Sequence, residues 1–214
     1  MYFNLKGLCL GLGIFLVGLI LDNTISYKSK KYLFEKNSRL LIKAYCYTAF
    51  NLLVLSPLYY DILDKYLISH EFIEFDIFKY FALLIIQSIG YYLAHYMMHN
   101  NRKLRVIHKF HHKFTNVLIP SLGISVTPYE YTFAYVLPFL VGGYIVNPSL
   151  LTLNTAIGSI SLLNIIIHCN ELSHIKYYRY LVSPNDHFNH HKNDRFKNTY
   201  AAPLINIDNI LEDI

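Results

Sequence analysis

One long segment without charged residues constrains the fold of this chain more than any other feature. It runs from Tyr131 to Asn170 without an aspartate, glutamate, lysine or arginine. A helix needs about 20 apolar residues to cross a bilayer, so this segment is too long for one span and suits two. Asn147-Pro148 lies near its middle and favours a turn. The segment therefore predicts a membrane hairpin whose two ends lie on the same side.

Three shorter uncharged runs precede this hairpin, at residues 7–21, 44–60 and 80–94. Hydrophobic residues make up 54% of the 214 residues and charged residues only 15%, which is typical of a membrane protein. The mean hydropathy of +0.29 is moderate and indicates a polar portion beside the spans. We therefore predict an all-α integral membrane protein with four to five transmembrane helices.

The charges between the runs predict the orientation in the membrane. The loop expected at 28–39 is basic, whereas the loop expected at 61–76 is mainly acidic. Because basic loops tend to remain in the cytoplasm, the run at 80–94 should return to the cytoplasmic side. Five basic residues follow it there: Arg102, Lys103, Arg105, Lys109 and Lys113. A helical cap on the cytoplasmic face is the expected consequence.

Histidines cluster at the ends of these runs and in the predicted cap. Residues three or four apart share one face of a helix, and neutral imidazole is a common metal ligand. Eight histidines follow this spacing: His95, His99, His108, His111, His112, His187, His190 and His191. They exceed what one tetrahedral ion needs, so we predict a di-metal site in the cap. We expect His168, at the end of the hairpin, to be a ninth ligand, and the spacing leaves the role of His174 open.

The residues alone do not identify the metal. An all-imidazole set also binds zinc and copper, and the sequence lacks the pair of Glu-x-x-His helices that soluble di-iron proteins use. A ligating imidazole usually donates its second N–H to a carboxylate, carbonyl or amide. The candidates for this supporting role are Asp186, Asn170, Asn189, Asn198 and Asp208.

The order of the histidine motifs is similar to that of a known family. His95–His99 reads H-x-x-x-H, and both His108–His112 and His187–His191 read H-x-x-H-H. This series resembles the fatty acid hydroxylase / sterol desaturase superfamily over residues 75–214. We therefore expect an N-terminal membrane hairpin with loops at 1–74 and a catalytic domain of this type at 75–214.

The resemblance implies a non-haem di-iron oxygenase of the endoplasmic reticulum with its catalytic face in the cytoplasm. Two iron ions would be bound by the eight clustered histidines and His168, and zinc can take their place in purified protein. Such an enzyme uses O2 to hydroxylate or desaturate a membrane lipid. Its electrons come from NAD(P)H through a redox partner, cytochrome b5 or its reductase.

The segment from Ile107 to Thr115 most resembles the sterol methyl oxidase and sterol desaturase branch, which implies a sterol substrate. That branch often has His-Pro where this chain has Thr127-Pro128, followed by an acidic residue that Glu130 matches. A fatty acid or acyl-lipid hydroxylase of the same superfamily is the alternative. A non-catalytic metal-binding or metal-transport membrane protein is an alternative of another class. Transport is disfavoured because the histidines lie at span ends and the apolar runs lack acidic residues.

Overall fold

The computed structural model describes residues 3–70, 74–175, 177–192 and 200–214. Within these ranges the chain is helical, and its only β pairing consists of two isolated bridges. The α-helices are α1 (Leu5–Asn23), α2 (Tyr27–Phe50), α3 (Ser56–Ile62), α4 (Ile77–Asn100), α5 (Arg102–His108), α6 (Pro128–Glu130), α7 (Leu137–Val146), α8 (Leu150–Ile167), α9 (Pro184–Lys192) and α10 (Ile207–Glu212). Three π-helical segments (Asn51–Leu55, Leu63–Leu67 and Tyr131–Val136) and three short 3-10 helices (His111–Lys113, Pro120–Ile124 and Asn170–Leu172) connect them. The all-α prediction is confirmed for the described residues.

Four helices are long and apolar enough to cross a membrane: Leu5–Asn23, Tyr27–Leu67, Ile77–Asn100 and Leu150–Ile167. A further apolar helical segment, Tyr131–Val136 continued by α7, precedes the last of them. The first arm of the predicted hairpin is thus interrupted by a π-helical turn, whereas its second arm is one regular helix.

The prediction of a loop at 28–39 is wrong, because these residues belong to α2. The helix bends at Asn37, whose φ of −159° and ψ of 77° are not helical. The side chain of Asn37 accepts a hydrogen bond from the Leu40 amide, as a helix-capping residue does. Lysines have high helix propensity, so a basic composition does not by itself indicate a loop. Similarly, the acidic segment predicted as a loop from residue 61 stays helical to Leu67.

The turn predicted at Asn147-Pro148 is confirmed. Asn147 ends α7 in the left-handed region at φ 43°, a conformation that asparagine tolerates better than most residues. The Ser149 hydroxyl then caps α8 by accepting a hydrogen bond from the Thr152 amide. The chain therefore reverses direction within a few residues.

Helix α4 shows why the spans suit a lipid environment. Its residues Phe81, Ile85, Ile89 and Leu93 recur every four positions and are each about half exposed. Residues four apart lie on one face of a helix, so these side chains form an apolar stripe on the outer surface. The opposite face is buried against α7 and α8.

Polar contacts fasten the N-terminal helices to the later part of the chain. The buried Asp22 carboxylate at the end of α1 accepts hydrogen bonds from the Ser121 amide and hydroxyl and from the Tyr45 hydroxyl. Ser26 and Ser29 each donate to Glu171 at 2.5 Å. These contacts hold the first two helices beside the segments that follow the histidine clusters in sequence.

Candidate metal centre

Five segments bring nine histidines to one end of the helical bundle. The first two lie in the last two turns of α4, the next three at the end of α5 and in the 3-10 turn after it, one directly after α8, and three on α9. They are His95, His99, His108, His111, His112, His168, His187, His190 and His191. Seven are buried, and His99 and His112 are partly exposed. The structure thus gathers in one place all nine residues predicted as ligands.

Five of these residues form what we call the five-histidine group: His95, His99, His108, His112 and His190. The Nε2 atom of His95 lies 3.0 Å from Nε2 of His108 and 3.2 Å from Nε2 of His99. Nε2 of His112 lies 2.8 Å from Nε2 of His108. The candidate ligand atoms of the whole group lie within 4.8 Å of one another. Nitrogens from four segments of the chain therefore converge on one small volume.

The other four residues form the four-histidine group: His111, His168, His187 and His191. Nε2 of His187 lies 2.9 Å from Nε2 of His168, and Nε2 of His191 lies 3.1 Å from Nε2 of both His111 and His187. Each ring in this group is buried. Adjacent residues connect the two groups, since His111 and His191 belong to this one and their neighbours His112 and His190 to the first.

The spacing of the second motif predicted that its three histidines lie on one α-helix, and this prediction is wrong. Helix α5 ends at His108, and His111 begins a 3-10 turn that ends at Lys113. The change of helix type points the ring of His112 towards His108 and the ring of His111 towards His168. This break lets one short motif contribute to both groups.

Three imidazoles are oriented by acceptors outside the groups. The carbonyl oxygen of Tyr200 accepts from Nδ1 of His95 at 2.8 Å, and the carbonyl oxygen of Asn164 accepts from Nδ1 of His168 at 2.7 Å. A carbonyl oxygen only accepts, so Nδ1 carries the hydrogen in both rings. The Nε2 atoms that face the groups then carry lone pairs.

The Glu130 carboxylate gives the third contact, 2.6 Å from Nδ1 of His108. When Nδ1 of His108 donates to this carboxylate, Nε2 of His108 presents its lone pair to Nε2 of His95. Two lone pairs 3.0 Å apart repel each other unless a cation lies between them. The donor set therefore fits metal binding, and the identity of the nine ligands stays a prediction.

Burial keeps these imidazoles neutral. Loss of hydration lowers the pKa of His108, His111, His187 and His191, and the neighbouring imidazoles lower it further. For His168, burial lowers the pKa to about 4. Neutral imidazole is the form that binds metal, so near pH 7 no proton has to be displaced from these rings.

The residues predicted to support the ligands have different outcomes. The Asp186 carboxylate accepts hydrogen bonds from the amide and hydroxyl of Ser183 at the start of α9, and among the described residues it bonds to no histidine ring. The buried Oδ1 atom of Asn170 has no hydrogen-bond partner among the described residues. Asn198 lies outside the described residues. Asp208 accepts from the Ala201 amide at 2.7 Å and so steadies the segment whose Tyr200 carbonyl binds His95.

His174, the open candidate, lies outside both groups. Its ring is exposed, and Nδ1 contacts the carbonyl oxygen of Glu171 at 2.9 Å. His174 follows His168 by only six residues, so the sequence did not show that it lies outside the groups. The 3-10 helix at Asn170–Leu172 directs the chain away from them.

Glu130 is the residue whose role the sequence did not reveal. From the sequence, Glu130 only matches an acidic residue of the sterol branch. One local signal exists, because Glu130 is the last charge before the long uncharged segment. A completely buried carboxylate needs a compensating partner, and its partner here lies 22 residues earlier in the chain.

Comparison with known proteins agrees with this geometry. Residues 80–212 match the family described as fatty acid hydroxylase. No curated protein and no solved structure matches the chain. The family match covers more than half of the chain and includes all nine clustered histidines. The chain belongs to the fatty acid hydroxylase family.

Proposed function

We propose that this protein is a membrane-bound non-haem di-iron oxidoreductase that uses O2 to hydroxylate or desaturate a lipid. Membership of the family implies an oxidoreductase that acts on lipids. One observation carries the finer proposal: nine histidines form two adjacent groups, and within each group the ligand atoms lie within 4.8 Å of one another. Groups of five and four imidazoles suit two metal ions better than one.

The five-histidine group would hold one iron and the four-histidine group the other. Bound together, a pair of redox-active metal ions supplies the activation of dioxygen that attack on an unactivated C–H bond requires. The protein's own contribution is orientation. The acceptors at Tyr200, Asn164 and Glu130 fix Nδ1–H of three rings and direct their Nε2 atoms inward.

The lipid would reach this centre from within the helical bundle. A cavity between the spans has Phe139, Ile160 and Asn164 among its lining residues, and the Asn164 carbonyl also binds His168. The apolar chain of a membrane lipid would be shielded from water in this cavity, which is energetically favourable. Its end near Asn164 would then lie beside the four-histidine group.

A sterol is the substrate that the segment from Ile107 to Thr115 favours, through oxidation of a C-4 methyl group or desaturation. The chain carries Thr127 where that branch often has histidine. Here the Thr127 hydroxyl donates to the Ile107 carbonyl and accepts from the Glu130 amide. Threonine therefore positions Glu130 without being a ligand. An acyl lipid is the second candidate, because apolar side chains dominate the cavity.

Electrons would enter from a redox partner on the basic side of the centre. Arg105 and Lys109 line a surface opening together with His99, His108 and His112. Positive charge at the point where the histidines approach solvent suits an acidic electron carrier, such as cytochrome b5 or its reductase. With NAD(P)H as the electron source, this surface would face the cytoplasm, and the endoplasmic reticulum is the proposed membrane.

The deciding experiment uses microsomes that contain the full chain, supplied with NADH and ¹⁸O2. Mass spectrometry of sterols and fatty acids should reveal a lipid that gains one labelled oxygen or loses two hydrogens. His111→Ala removes a member of the four-histidine group and should abolish the product. His174→Ala is the matched control, because this histidine is exposed and outside both groups, and it should retain the product.

An unchanged lipid profile in active microsomes, with two metal ions bound per chain, would refute oxidation of these lipids. It would favour a metal-binding or transport protein instead. Against transport, the nine histidines cluster at one end of the bundle, whereas ions crossing a membrane need polar groups near its middle.

A further inference from the structure

A polar side chain with an unpartnered oxygen lies in the middle of a membrane span. Gln87 is 1% exposed, and its Oε1 atom is buried with no hydrogen-bond partner among the described residues. The adjacent Ser88 is also buried, but its hydroxyl donates to the Leu84 carbonyl at 2.8 Å. A buried amide oxygen without a donor destabilises the folded protein, so its retention in an apolar span calls for a reason.

Gln87 belongs to the wall of the cavity between the spans. This cavity encloses about 640 Å³ of space when its part open to solvent is included. Apolar and tyrosine side chains form most of the wall around Gln87, among them Leu63, Tyr131 and Phe139. An apolar chamber with few polar groups is the usual form of a lipid or small-molecule site, where the polar groups fix the orientation of the ligand.

The cavity extends from Gln87 towards the histidines. Asn164 and Tyr135 line it and both bind the Gly123 carbonyl, and the Asn164 carbonyl binds His168. Gln87 precedes His95 by eight residues on α4, which corresponds to about 12 Å along the helix axis. A ligand bound to Gln87 can therefore direct a distant carbon towards the candidate metal centre.

We propose that Gln87 is a specificity-determining residue whose Oε1 atom accepts a hydrogen bond from a hydroxyl group of the substrate lipid. Gln87 and His95 are separated by about 12 Å along the axis of α4, which sets the scale of the separation between this group and the carbon to be oxidised. The inference rests on the proposed function, because the carbon in question is the one that the metal centre would oxidise. It favours a lipid whose hydroxyl group is remote from the reaction, such as a long acyl chain with a hydroxyl group at Gln87. It disfavours oxidation at C-4 of a sterol, because the 3-hydroxyl then lies on the adjacent carbon.

Binding to the full chain in lipid nanodiscs tests the proposal with two matched pairs of probes. Octadecanol and octadecane differ by one hydroxyl, as do cholesterol and cholestane. One hydrogen bond to a buried neutral amide corresponds to a preference of about tenfold. We expect the native protein to prefer octadecanol to octadecane by this factor. The second pair shows whether a sterol hydroxyl can be the source of the contact.

Gln87→Leu should remove the preference, because leucine fills similar space without polar atoms. Gln87→Met is a second variant, with a flexible side chain in case leucine packs poorly. Ser88→Ala is the matched control, since this residue is buried beside Gln87, makes its bond within its own helix and should retain the preference. Removing an unsatisfied amide should not lower the melting temperature.

Two results would overturn the inference: equal binding of both members of each pair by the native protein, or an unchanged preference in both Gln87 variants. A preference within the sterol pair alone that depends on Gln87 would retain the role of this residue and assign a sterol as the ligand. The assay needs neither metal nor O2. The proposed oxidation can therefore fail while the Gln87 contact is upheld, and the reverse is equally detectable.

Discussion

The contact between Glu130 and His108 gives the sharpest test of the candidate metal centre. Glu130→Gln keeps the size of the side chain and an oxygen able to accept from Nδ1 of His108, but it removes the charge. A hydrogen bond to a charged group contributes about 1.5–3 kcal/mol and a neutral one about 0.5–1.5 kcal/mol. Both residues are buried, so solvent screens the contact little. The two ranges differ by about 1–1.5 kcal/mol, and losing this much of the interaction corresponds to roughly tenfold weaker metal binding.

The assay is a chelator competition titrated with Fe²⁺ under anaerobic conditions, with metal content measured by mass spectrometry. We expect the affinity of the five-histidine group to fall about tenfold, which agrees with the effect typical of residues that support ligands. The melting temperature of the metal-free protein should change little, because glutamine occupies the same space and keeps an oxygen that accepts from Nδ1 of His108.

Asp22→Asn is the matched control. Asp22 is an equally buried carboxylate, but it binds Ser121 and Tyr45 and contacts no histidine of the two groups. This change should lower the melting temperature and leave the metal affinity unchanged. If Glu130→Gln binds Fe²⁺ as tightly as the native protein, the supporting role of Glu130 is refuted.

Three further predictions concern the same centre. His111→Ala should about halve the metal content, measured by elemental analysis, whereas His174→Ala should not change it; equal losses would contradict the assignment. The metal-free protein should lose stability as the pH falls from 6.5 through about 4, because burial lowers the pKa of His168 and the unfolded chain then binds more protons than the folded one; a melting temperature that is flat over this range would refute the burial argument. Gly123→Ala should lower both metal content and melting temperature, since its new Cβ would lie 2.9 Å from the carbonyl oxygen of Asn164 and 3.2 Å from Nδ1 of His168. Gly158→Ala is the control, because a Cβ there meets nothing within 4 Å; similar losses in both alanine variants would show that crowding at Gly123 is not responsible.

Several features of this protein were determined by the sequence alone. The uncharged segments predict membrane helices because the cost of placing charges in hydrocarbon is local and depends only on composition. Asn147-Pro148 predicts the turn of the hairpin, since few residues tolerate the backbone angles required there. The regular spacing of histidines identifies the candidate ligands, because residues three or four apart share a helix face.

Only the tertiary structure decided how these residues combine. The division of nine histidines into groups of five and four depends on the break between His108 and His111, which α-helical spacing does not encode. The acceptor that orients His95 is the carbonyl of Tyr200, 105 residues away, and no local pattern predicts a backbone contact at that distance. Whether the Oε1 atom of Gln87 finds a hydrogen-bond donor is likewise decided by its neighbours on other helices. Hydropathy and spacing are short-range properties of the chain, whereas hydrogen-bond partners and cavities arise only when distant segments pack together.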